Sequence, residues 1–280
     1  MRELSFETIA KKISELCIEA NLVLPGDVCS LIDSACDNES SPLGKSIMFD
    51  LKRNYEMARE KRIPICQDTG MAVVFAEIGQ ELHINGGDFN EAIHEGVRRG
   101  YERGFLRKSV VSDPLRRENT GDNTPAVIHT KIVPGDSLRL RLAPKGFGSE
   151  NMSRMKMLLP SSEPSAVVDF IVETVKSAGA NPCPPVIVGV GLGGTVELAA
   201  LLAKEALLRN MSEENADPFY AGLEAAALKR INELGIGPQG FGGKTTALAV
   251  NIKAYPTHIA GMPCVVNMSC HVTRHAEAVL

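Results

Sequence analysis

The sequence predicts a mixed α/β (α+β) fold: a helix-rich N-terminal region over residues 1–62 followed by a mixed β-sheet flanked by helices, in a single domain spanning 1–280. Three observations predict it. Apolar residues in the first 62 positions recur at helical spacing; beyond residue 70, short β-rich apolar runs alternate with longer helical segments. No internal repeat or low-complexity linker marks a boundary between domains. At 280 residues the chain is long enough to bury a substantial core, and 44% hydrophobic with 23% charged residues is an ordinary globular balance. A net charge of -4 gives no general reason for nucleic-acid binding, so any cationic site must be local. No apolar run reaches membrane-spanning length, and Glu3, Glu7, Lys11 and Lys12 break any signal-peptide core, so a cytoplasmic protein without membrane attachment is expected.

Taken in order, Ile9, Ile13, Leu16 and Cys17 repeat every three or four residues, and Pro25 and Pro42 stand near the starts of later helices. The polar turn Pro64 to Gly70 leads into the strand-like Met71-Ala72-Val73-Val74-Phe75-Ala76. A helix is predicted over 88–103, then a polar loop rich in Arg and Asn from Leu106 to Thr124, of the kind that carries function. Alternating runs at 126–132 and 137–142 flank Pro134-Gly135 and predict a hairpin. After the glycine-bearing loop Lys145 to Asn151 come a helix, a buried strand at 186–190, helices at 195–209 and 217–233, the glycine-dense stretch 235–244, and strands at 246–252 and 265–268.

Seven cysteines without regular close spacing exclude a secreted disulfide framework and leave reduced thiols. Cys17, Cys29 and Cys36 fall in amphipathic helices and Cys264 precedes an apolar strand, contexts where a cysteine packs as a small hydrophobe. Cys66, Cys183 and Cys270 instead lie in polar or proline-bracketed loops beside strand-like runs, with Asp68 and His258 nearby in sequence. Three thiolates can hold a 4Fe-4S cluster and leave one iron open as a Lewis acid. Zinc on Cys270, His271 and His275 competes with that reading, although no CxxC pair supports it.

Two glycine loops imitate nucleotide sites. Gly189-Val190-Gly191-Leu192-Gly193-Gly194 satisfies G-x-G-x-x-G between a strand and a helix, so a nucleotide-binding protein is a rival reading. Against it, the acidic partner expected about twenty residues on would be Glu213 or Glu214, in a polar loop after a long helix. Gly243-Lys244-Thr245 resembles the end of a P-loop, but Pro238 stands where the first glycine belongs. Such a backbone can cradle a carboxylate or serve as a plain turn.

Cys66-Gln67-Asp68-Thr69-Gly70, Gly148-Ser149-Glu150-Asn151, Asn181-Pro182-Cys183-Pro184-Pro185, Gly235-Ile236-Gly237-Pro238-Gln239-Gly240 and the His258 to Cys270 segment occur in one chain. In this order they resemble the alpha subunit of two-subunit class I fumarate hydratase, in the iron-sulfur hydro-lyase family that also holds L(+)-tartrate dehydratase. The resemblance runs from about residue 40 to the end. It implies a 4Fe-4S cluster on Cys66, Cys183 and Cys270, with Gln67, Asp68, Arg107, Gly148 and His258 at a small dicarboxylate substrate. Asp68 and His258 would manage the proton, while the planar fork of Arg107 suits a carboxylate. Of the glycines in the loop Lys145 to Asn151, Gly146 and Gly148 both remain candidates. The chain stops ten residues after Cys270. A separate beta subunit carrying the C-terminal hydro-lyase domain is therefore expected, in an alpha2beta2 assembly. The loop Pro144 to Asn151 favours fumarate and (S)-malate over tartrate as the reacting pair. A non-catalytic zinc-binding or scaffold subunit is the third alternative.

Overall fold

A computed structural model describes residues 2–280. Along the chain β1 (Arg2–Ser5) precedes α1 (Phe6–Leu22), α2 (Gly26–Asn38) and α3 (Pro42–Lys61). Then come β2 (Met71–Gly79), β3 (Leu82–Asn85), α4 (Phe89–Arg103), β4 (Val127–Val133) and β5 (Leu138–Lys145). The short α5 (Phe147–Glu150), β6 (Arg154–Leu158), α6 (Ser165–Ala178), β7 (Val186–Gly193) and α7 (Val196–Ala206) follow. The chain closes with α8 (Pro218–Asn232), β8 (Ala247–Tyr255), β9 (Met262–Ser269) and β10 (Ala276–Val279). Helices and mixed sheets alternate as the sequence predicts, and among the described residues no helix is long and apolar enough to cross a membrane.

The chain forms two compact units, each with its own four-stranded mixed sheet. The first comprises residues up to Pro25, Tyr55–Phe147 and Arg274–Leu280; the second comprises Gly26–Asn54 and Gly148–Thr273, so the division falls within α3.

In the first unit the strand order is β10-β5-β2-β4. The hairpin predicted over 126–142 does not form, because β2 lies between its two strands, parallel to β4 and antiparallel to β5. Burial explains the insertion: Ala72 to Ala76 are buried throughout and need a neighbour on each side, whereas β4 is largely exposed and suits an edge. The far end of β2 fills the gap at the Pro134-Gly135 turn, with Gly79 N–H donating to the Ser137 carbonyl (2.8 Å) and Gln80 N–H to that of Val133 (2.8 Å). Ile9, Ile13, Leu16 and Cys17 of α1 pack with Ile93, Val97 and Tyr101 of α4 and with Leu138, Leu140 and Leu142 of β5 in one core. Asp88 caps α4 by accepting the Glu91 N–H at 3.0 Å.

In the second unit the order is β6-β9-β7-β8. One core joins Val167, Phe170, Ile171 and Val175 of α6 and Ala227 and Ile231 of α8 to the sheet, and Ala199 and Ala203 of α7 pack with Val265 of β9. The glycine run that imitates a dinucleotide site is explained by packing. Gly189 and Gly191 lie inside β7, where a Cβ would stand 2.2 Å from the Ala203 carbonyl oxygen and 1.9 Å from that of Ala199. Only bare backbone lets α7 lie this close to the strand.

Gly191→Ala is therefore expected to lower stability by about 3 kcal/mol or more, since neither backbone can yield without breaking the sheet or the helix. A urea melt that leaves the midpoint of the variant unchanged would refute this account of the glycine run.

Candidate active site

In the first unit the candidate residues gather on the turn between α3 and β2. Tyr101, buried on α4, donates its hydroxyl to the carbonyls of Thr69 (2.7 Å) and Gly70 (2.9 Å). Burial pushes its phenol pKa up, so the group stays a protonated donor. Asn123, wholly buried and at φ 64°, donates Nδ2–H to the Gly70 carbonyl (3.2 Å) while its Oδ1 accepts the Ser109 N–H (2.7 Å). The Thr69 hydroxyl donates to the Arg107 carbonyl at 2.9 Å, which ties the polar loop carrying Arg107 to the same turn.

Asp68 is held at both carboxylate oxygens. Oδ1 accepts the Gly70 N–H at 2.9 Å and Oδ2 the Phe147 N–H at 3.0 Å, and the Asp68 carbonyl accepts from an Nη of Arg274. A Cβ at Gly146 would come within 3.2 Å of Oδ2, so this glycine gives the carboxylate room. Cys66 is half-buried, whereas Gln67 and Arg107 are exposed.

In the second unit Cys183 and Cys270 occupy loops at one end of the sheet, before β7 and just after β9. Cys183 is exposed at φ 56°, its N–H donating to Ala180 at 3.0 Å. His271 links the two loops: its Nδ1 lies 3.1 Å from the Cys183 carbonyl oxygen, where a protonated Nδ1 donates. Gln239 adds backbone and side-chain N–H donors to the Pro184 carbonyl, each at 2.7 Å. Gly148 belongs to the same neighbourhood, since a Cβ there would meet the Asn181 carbonyl oxygen at 3.9 Å. Glu150 of the same motif is a tether, pairing with Lys204 of α7 and accepting from Asn267 Nδ2 of β9 at 2.9 Å.

His258 lies elsewhere in this unit. Its turn joins β8 to β9, and the register sets Gly193 against Tyr255 and Leu192 against Cys264 at that end of the sheet, with Ile187 against Ser269 at the other. The length of β7 separates His258 from the loops of Cys183 and Cys270, roughly 23 Å at about 3.3 Å per residue. The exposed His258 accepts the Ala260 N–H at Nδ1 (3.1 Å).

All seven cysteines are thiols. Cys17, Cys36 and Cys264 are buried, and burial pushes the thiol pKa of each up, that of Cys264 to about 12; Cys29 is half-buried on α2. None of Cys66, Cys183 and Cys270 is buried, and each precedes or follows a core strand. Among the described residues no three His, Cys, Asp or Glu side chains converge as the ligands of one metal ion. An iron-sulfur cluster makes a different demand, spreading its thiolates over separate irons, and three accessible loop thiols fit its donor chemistry.

The imitation P-loop is also occupied from within. Glu39 is 4% exposed, and its carboxylate accepts N–H bonds from Lys244 (2.9 and 3.0 Å), Thr245 (2.9 Å) and Ser41 (3.0 Å). Burial alone would raise its pKa, but these donors outweigh burial and hold it below the ordinary carboxylate value. No sequence pattern announces Glu39, Tyr101, Asn123 or Arg274, because each acts on residues remote along the chain.

With the geometry in place, comparison with known proteins identifies the class. The chain matches the family model described as Fumarate hydratase (Fumerase) over residues 10–279, and it belongs to that family. A Methanocaldococcus jannaschii protein provisionally named L(+)-tartrate dehydratase subunit alpha is 40% identical over 276 residues, 96% of each chain. The L(+)-tartrate dehydratase subunit alpha of Escherichia coli K12 is 30% identical over 281 residues, 98% of this chain and 92% of that one. The fumarate hydratase and tartrate dehydratase names both denote hydro-lyases.

Glu39→Gln is expected to lower stability at neutral pH by about 2–3 kcal/mol, since an amide turns a donor toward N–H groups that need an acceptor. The folded pKa of Glu39 is lowered, so its stabilisation is full above the ordinary carboxylate value and is lost as pH falls through the folded one. Urea midpoints across the acid range should therefore converge for the two proteins at low pH; a constant gap would contradict the assignment.

Proposed function

We propose that this chain is the alpha subunit of a 4Fe-4S-dependent hydro-lyase that adds water reversibly to fumarate to give (S)-malate. The observation that carries the reading is the Cys66 to Gly70 turn. There a cluster-type thiol and a doubly held carboxylate stand on one buried-tyrosine clamp, in a chain of the fumarate hydratase family. Cys66, Cys183 and Cys270 would hold the cluster, which when bound supplies an open iron as a Lewis acid for the substrate hydroxyl.

The remaining work falls to the chain's own side chains. Asp68, with its oxygens fixed by the Gly70 and Phe147 N–H groups, would hold or release a proton without swinging away. Gln67 and Arg107 are exposed and able to meet a carboxylate, Arg107 through two parallel N–H donors. Gly148, beside the Cys183 loop, leaves space and a backbone donor for substrate. His258 is the remaining candidate for the proton, although the length of β7 separates it from both cysteines of its own unit.

A second reading, L(+)-tartrate dehydration, is favoured by the names of the curated relatives. The two substrates differ by one hydroxyl, a difference that one hydrogen-bonding residue can decide. Those names also specify a subunit alpha, which supports a partner beta subunit; the alpha2beta2 assembly is part of the same proposal.

Anaerobically reconstituted protein should absorb broadly near 400 nm and carry roughly four irons per chain. Cys183→Ser should abolish both signals and Cys29→Ser neither; equal losses would remove the division between loop and packing cysteines. Assayed with its beta subunit, the enzyme should show a higher kcat/KM for malate than for L(+)-tartrate. The reverse order would establish the second reading, and no turnover of either would sink both.

A further inference from the structure

Arg274 poses a problem that packing does not solve. It is 5% exposed, one Nη donates to the Asp68 carbonyl, and its Nε and other Nη are sealed from solvent without a hydrogen-bond partner. A guanidinium carries five N–H donors, and burying them unmet is costly enough that an apolar side chain of similar length would serve the core better. Stability therefore does not explain an arginine here, and unmet buried donors call for a functional reason.

What Arg274 does is grip one peptide. Tyr101 and Asn123 hold the carbonyls of Thr69 and Gly70, at the downstream end of the turn. Arg274 holds the carbonyl of Asp68, nearer to Cys66. Its backbone is set by β10, which pairs Ala276 with Leu142 of β5 immediately afterward. The side chain thus reaches the turn from a strand anchored in the same sheet that β2 enters.

We propose that Arg274 is a positioning residue: through the Asp68 carbonyl it fixes the direction of the Asp68 carboxylate and the Cys66 thiol, at the expense of its own unmet donors. The proposal rests on the hydro-lyase reading only for what the turn is used for; the grip itself does not depend on it.

The test uses the full-length chain with any bound iron removed by chelation, and compares Arg274→Met and Arg274→Lys with the unsubstituted protein. Two quantities are read: the melting temperature, and the rate at which iodoacetamide alkylates each cysteine, followed by peptide mass spectrometry. For Arg274→Met we expect a melting temperature equal or higher, Cys66 alkylated about tenfold faster as the turn opens locally, and Cys183 unchanged within about twofold. Arg274→Lys, which keeps one donor for the carbonyl, should leave the Cys66 rate within about threefold of the original. A fall in melting temperature with Cys66 and Cys183 speeding up together, or failure of Arg274→Met to fold, would show a purely structural role and overturn the proposal. An unchanged Cys66 rate in folded Arg274→Met would overturn it as well. Because the readout needs no iron, a chain that never assembles a cluster would sink the hydro-lyase reading and leave this result standing.

Discussion

The hydroxyl of Tyr101 carries two successive carbonyls of the turn that leads into β2, and most of what is distinctive in the first unit follows from that bifurcated hydrogen bond. Tyr101 sits on the face of α4 that packs against α1, so the helix pair seals the hydroxyl from water and leaves the turn as its partner. A hydrogen bond shielded in this way gains strength from the low dielectric around it. The turn then inherits the rigidity of the helix pair. Cys66, Gln67 and Asp68 gain a fixed backbone although they lie in a loop, and binding and catalytic groups work best on backbone held in this way.

Glu39 and Asp68 are both cradled by main-chain N–H groups, for different ends. Glu39 is buried against the backbone of 244–245, and its charge is consumed in holding the second unit's glycine-rich loop. Asp68 accepts two such donors and remains half-buried, so it keeps a route to solvent. The same physics makes one carboxylate a staple and leaves the other available for chemistry. Half-buried Arg209 adds a further charged anchor, forking to both oxygens of Glu224 at 2.8 Å and to Asn251 at 2.6 Å, which secures the segment between α7 and α8 to β8.

Much of this was legible along the chain. The helices at α1, α4, α7 and α8 follow their apolar periodicity, and the strands β2, β7, β8 and β9 follow their apolar runs. β1, β3, β6 and β10 escaped notice, being short and with at most one buried residue each, so burial leaves no alternation to read. The division of the cysteines by local context agrees with burial for Cys17, Cys36 and Cys264, and Cys29 is partly exposed. The false hairpin shows the limit: local alternation and a Pro-Gly turn do not reveal that β2, far earlier in sequence, has the stronger claim to the place between β4 and β5.

The sequence by itself determined the family, the longer elements of the fold and the motif residues, because a local motif and a periodic apolar face are each written in neighbouring letters. Tertiary structure alone decided that the G-x-G-x-x-G run is a seat for α7, that the P-loop imitation holds Glu39, that His258 and the Cys183 and Cys270 loops stand at opposite ends of one sheet, and that Arg274 grips the Cys66 turn. Each of these depends on strand order and on the distance at which elements pack. Those are set by competition among all buried surfaces at once, which no local stretch of sequence records.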